Sequence, residues 1–124
     1  MARIIALLHA SLLVSDLKRA RAFYEGALGL TPSPARPAMG FPGVWYDIGP
    51  AQLHLLVLPN PDPVTGRPAH GGRDRHVALG VVGWEGLRQA LDRSGIDYTL
   101  SRSGRRALFV RDPDGNALEL IDAD

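Results

Sequence analysis

The 124-residue sequence has no cysteine, which excludes disulfides, thiolate catalysis and sulfur-ligated zinc, so any metal it holds must sit on imidazole and carboxylate. It also lacks a charge imbalance. The formal charge is +1, and the basic residues are scattered apart from Arg73/Arg75 and the Arg105-Arg106 pair, so no nucleic-acid footprint is expected. No apolar run approaches the roughly 20 residues that span a bilayer. Met1 to Val14 is interrupted by His9 and has no small-residue cleavage site, so neither a membrane partner nor export is expected and a cytoplasmic protein is the reading. Aromatic residues are sparse at 6%, yet apolar residues reach 45%, enough for one compact domain with a buried core.

What is present is an internal repeat. His76-Val77-Ala78-Leu79-Gly80-Val81 repeats His9-Ala10-Ser11-Leu12-Leu13-Val14, and in each copy a helical segment follows. Each copy then ends on a strand with a second ligand-type residue, His54 in the first and Glu119 in the second. The spacings nearly agree, 45 residues from His9 to His54 and 43 from His76 to Glu119. The division implied is a first module over 1–58, a linker over 59–75 and a second module over 76–124.

Ile4 to Val14 reads as a strand buried on both faces, with His9, Ser11 and Leu13 on one side and Ala10, Leu12 and Val14 on the other. Ser15 and Asp16 are candidate N-caps for a helix whose stripe is Leu17, Ala20, Phe23, Tyr24, Ala27 and Leu28, stopped by Gly29. The prolines at 32, 34, 37 and 42 confine Thr31 to Gly43 to an edge strand or irregular loop. Val44 to Ile48 and Gln52 to Leu58 form a hairpin about Gly49-Pro50, which puts Trp45 and Asp47 on the face of His54. Pro59 to Arg75, rich in proline and glycine, reads as a linker; His70 within it has no strand or helix to fix it and is left out of the ligand set.

In the second module, Leu87, Ala90 and Leu91 mark a helix ended by Gly95, with a weak start signal at Gly83-Trp84. Strands are expected at Ile96 to Leu100, Ala107 to Arg111 and Ala117 to Ile121. Asp112-Pro113-Asp114-Gly115 is the turn before the last, and with a bulged register it sets Phe109 across from Glu119. A lone strand histidine is usually satisfied by a backbone carbonyl. Four ligand-type residues at positions equated by a repeat, each opposite its strand's apolar stripe, point instead to a metal site.

His9 seven residues before Asp16, Phe23-Tyr24 leading to Leu28-Gly29-Leu30, and Asp112-Pro113-Asp114-Gly115-Asn116 leading to Leu118-Glu119-Leu120 occur in an order that resembles the vicinal oxygen chelate superfamily. That superfamily contains glyoxalase I, extradiol dioxygenases, and fosfomycin- and bleomycin-resistance proteins. The resemblance implies an α+β fold of two paired βαβββ modules whose mixed sheets curl around a metal site. It implies His9, His76 and Glu119 as metal ligands, with His54 at the place where glyoxalase I carries a fourth ligand, expected there to be Glu. The residues themselves give Glu119, the one carboxylate of the set, as the catalytic base, Trp45 and Phe109 beside the ligands as candidate substrate-binding aromatics, and, from nitrogen-rich ligation, a divalent Zn, Ni, Co, Mn or Fe ion with open positions for a small molecule's adjacent oxygens. Similar proteins often form homodimers in which each site combines modules from two chains. The function expected is that of a lactoylglutathione lyase-like enzyme; the alternatives are an Fe(II) extradiol-type dioxygenase and a fosfomycin- or bleomycin-resistance-type transferase or binding protein.

Overall fold

The computed structural model describes residues 1–124 as two sheets. Strands β1 (His9–Val14), β2 (Gly43–Ile48) and β3 (Ala51–Val57) form a sheet in the order β1-β3-β2. Strands β4 (His76–Val81), β5 (Tyr98–Leu100), β6 (Ala107–Arg111) and β7 (Ala117–Asp122) form a second in the order β4-β7-β6-β5. The first strand of each module runs parallel to the last, and hairpins supply the antiparallel neighbours. The repeat is exact in register: Ser11 lies beside His54 as Ala78 lies beside Glu119, and Trp45 faces His54 as Phe109 faces Glu119. The first module has one strand fewer than the second, because its proline-rich stretch makes a single bridge, Pro32 to Tyr46.

Each sheet turns one face to a shared core. Val44, Tyr46, Leu53 and Leu55 from one sheet and Leu108, Val110, Leu118 and Leu120 from the other are buried in a single cluster with residues of both helices. Helix α1 (Leu17–Arg21) is capped by Asp16, whose side chain accepts from the Arg19 amide at 3.0 Å. The expected continuous α-helix then widens into a π-helix over Ala22–Ala27, with the Leu28 amide donating to the Phe23 carbonyl. That widening leaves adjacent residues Phe23 and Tyr24 both buried. Helix α2 (Trp84–Arg93) starts after Gly83, at φ +77° with no side-chain cap, and buries Trp84 and Leu91.

The modules are tied by the turn after β6. Tyr24, wholly buried, donates its hydroxyl to Asp112 Oδ2 at 2.7 Å, and burial followed by the Asp112 charge pushes that hydroxyl's pKa up, so it stays a donor. Asp112 also accepts from Asn116 Nδ2 and from the Asp114 and Asn116 amides, each at 2.9 Å, while Asn116 Nδ2 reaches the Leu13 carbonyl at 3.0 Å. Gly115 takes φ +84° to close this turn.

Two expectations are corrected here. The first strand begins at His9, not Ile4: Ile4, Ile5, Leu7 and Leu8 are exposed, 97% in the case of Ile4, because β3 starts at Ala51 and offers no partner further back. The linker is not featureless either, since Gly71–Arg73 forms a 3-10 turn and His70 beside it is buried. No helix is long and apolar enough to cross a membrane.

Candidate functional site

The four ligand candidates come as two pairs, one on each sheet. In the first, His54 is sandwiched between Trp45 (ring centroids 4.0 Å apart, planes 3° apart) and His9 (4.2 Å, 16°). Its tautomer follows from its neighbours. The Gln52 amide donates to Asp47 Oδ1 at 2.8 Å, so Gln52 Oε1 is the acceptor for His54 Nε2–H at 2.9 Å, and the Nδ1 lone pair is left free. Burial, then the charges of His9 and Arg36, holds the His54 imidazole below its ordinary pKa, so it stays neutral as a ligand must be. The pair opens into a hollow of about 400 Å³ that Arg36, Met39 and Phe41 also line.

In the second pair, His76 Nδ1–H donates to the Asp74 carbonyl at 2.9 Å, and its Nε2 lies 3.3 Å from Glu119 Oε1. Glu119 is 4% exposed, and its Oε2 has no hydrogen-bond partner; Arg105, whose side chain is 60% exposed, stands 3.4 Å away without the alignment to donate. Phe109 packs edge-on against His76 at 5.1 Å and against His70 at 4.9 Å.

His70 is the residue that sequence reasoning set aside. Its Nδ1 lies 2.6 Å from Thr99 Oγ1, and burial, then Arg102 and Arg73, lowers its pKa. The signal was Gly71-Gly72: a Cβ on Gly72 would stand 2.8 Å from His70 Nε2 and 3.1 Å from Phe109 Cζ, so only glycine lets this turn close on the ring. His70 thereby packs against Phe109, the ring that also meets His76.

The donor chemistry fits a divalent ion of the zinc-to-iron group: three imidazoles, one carboxylate, and a buried anion with an oxygen left unsatisfied. Yet no three imidazole or carboxylate groups converge closely enough in one chain to hold an ion. His9 and His54 are also stacked nearly parallel, so their in-plane lone pairs do not converge, and sharing one ion requires a ring to turn.

Residues 6–120 match the family model described as the Glyoxalase/Bleomycin resistance protein/Dioxygenase superfamily, and the chain belongs to that superfamily. Among curated relatives, a protein described as glyoxylase I 4 from Arabidopsis thaliana is 27% identical over 121 residues, covering 94% of this chain and 70% of the relative. A solved glyoxalase family protein from Bacillus anthracis superposes with a TM-score of 0.81 at 24% identity, covering 100% of this chain and 99% of its own. The fosfomycin resistance protein FosX from Listeria monocytogenes, solved as a mutant with Mn(II) and a dihydroxypropylphosphonic acid, superposes with a TM-score of 0.72 at 17% identity, covering 98% and 95%. These structural likenesses establish the fold.

Proposed function

We propose that this chain is a divalent-metal-dependent, glyoxalase-like enzyme acting on a small molecule with adjacent oxygens. The observation that carries the reading is Glu119 beside His76, a buried carboxylate whose Oε2 accepts no hydrogen bond and is met only by the exposed Arg105 guanidinium at 3.4 Å. A buried carboxylate oxygen left without a donor is costly, and a divalent ion would supply the missing partner. His9, His54, His76 and Glu119 would hold the ion, which when bound supplies Lewis-acid polarisation of the substrate's adjacent oxygens.

Glu119 is the only carboxylate of the four, so it is the residue that takes and returns the substrate proton. Trp45 and Phe109 flank the two pairs at equivalent places and would shield the substrate from water. Since one chain presents the ligands as separate pairs, a homodimer completes the site, with His9 and His54 of one copy meeting His76 and Glu119 of the other. A second copy would also cover Ile4, Ile5, Leu7 and Leu8, an exposed apolar series unusual for a monomer.

Zinc or nickel titrated into metal-free protein tests the reading through Trp45. Drawing His54 onto an ion breaks its stack with that indole, so the emission of Trp45 should change, saturate at one ion per chain, and reverse with chelator. Trp84 is buried elsewhere and donates its Nε1–H to the Leu120 carbonyl, so Trp45→Phe should abolish the change. An emission that stays constant while metal binds would remove His54 from the ligand set.

A further inference from the structure

Arg36 is a guanidinium held in place without a counter-charge. Its Nη2 donates to the Phe41 carbonyl at 2.7 Å, its Cζ stands 5.6 Å over the Phe41 ring, and the glycine at 43 lets the main chain pass close beside it, where a Cβ would lie 3.1 Å from Nη2. It is half-buried and makes no other hydrogen bond. Arg21, Arg67, Arg75, Arg88, Arg105, Arg106 and Arg111 each lie within 4.0 Å of a carboxylate; Arg36 does not. Its flanking residues Pro34 and Pro37 restrict the loop that carries it. It lines the same hollow as His9, His54 and Trp45.

We infer that Arg36 is a specificity-determining residue that receives a carboxylate carried by the substrate, in the hollow beside His54 and Trp45. A guanidinium partly removed from water and fixed by its neighbours has already lost the side-chain entropy that a flexible arginine gives up on binding an anion. The remaining N–H groups have no acceptor in the chain, and a carboxylate supplies one with matching charge. The substrate is then an acid bearing adjacent oxygens, with its charged end on the first module. This assignment rests on reading the hollow as one half of the substrate site.

Mandelate, a hydroxy acid, and phenylethane diol, its uncharged counterpart, are suitable probes, with the indole N–H resonance of Trp45 reporting occupancy. The parent protein should bind mandelate about ten-fold or more tightly than the diol. Arg36→Gln should bring mandelate down to the level of the diol, and Arg36→Lys should keep much of the preference. Zinc affinity, measured on the same samples, should be equal in parent and Arg36→Gln protein. Equal binding of mandelate and diol by the parent, or mandelate binding indifferent to Arg36→Gln, overturns the assignment and leaves Arg36 as a loop brace. An Arg36-dependent preference for mandelate in a protein that takes up no metal would uphold the assignment and sink the metal reading instead.

Discussion

Replacing Asp112 by alanine should lower the stability of the fold by about 3 kcal/mol, which for a domain of this size is a fall of roughly 10 °C in Tm. The carboxylate gathers four donors, from Tyr24, Asn116 and two main-chain amides, and its loss strands the wholly buried Tyr24 hydroxyl. An unpaired buried hydroxyl alone is worth about 1–3 kcal/mol, and the β6–β7 turn, whose Asn116 reaches the Leu13 carbonyl at the end of β1, is loosened as well. Tyr24→Phe should be milder. In the double variant the two losses should fall short of additivity, because the hydroxyl that Asp112→Ala strands is then absent. Thermal unfolding of the three variants measures this, and strictly additive losses would mean that the hydrogen bond between the modules contributes nothing.

Replacing Glu119 by glutamine should act in opposite directions on metal affinity and on the metal-free fold. Divalent affinity should fall ten-fold or more, since the proposed site then loses its one carboxylate. Metal-free protein should keep its Tm or gain slightly, because an amide removes a buried charge whose Oε2 has no hydrogen-bond partner. His70→Ala should show the converse. His70 fills the space beside Phe109 and contacts Thr99, so its loss lowers Tm while metal affinity is retained. Calorimetry with and without zinc separates these patterns, and a Glu119→Gln protein with unchanged affinity would place the ion elsewhere.

Much of the first pair's setting was legible because a strand alternates with period two. Once the Gly49-Pro50 turn is located, Trp45 must share a face with His54, whereas Phe109 lies across from Glu119, as observed, only if the Asp-Pro-Asp-Gly turn carries a bulge. What local pattern could not read is where partners run out. Ile4 to Leu8 have strand-forming side chains, but a strand extends only as far as its neighbour, and the parallel β3 begins at Ala51. The π-helix was hidden for a related reason: Phe23 and Tyr24 are adjacent on the stripe of an ordinary helix, and only the demand of Asp112, 88 residues away, draws Tyr24 fully inward. His70 was missed because a proline- and glycine-rich loop shows no periodicity, although its paired glycines are needed for the close approach to Phe109.

If His9 and His54 of one chain and His76 and Glu119 of another make one site, two crippled chains should restore it when mixed. A His9→Ala/His54→Ala protein and a His76→Ala/Glu119→Gln protein should each bind divalent metal poorly alone. Unfolded together and refolded, they form mixed dimers in which one site inherits all four ligands and the other none. Tight zinc binding should reappear in the mixture, with proton-transfer activity if the parent has it. Zinc binding as poor in the refolded mixture as in either variant alone, with mixed dimers demonstrably present, would contradict it and return the four ligands to a single chain.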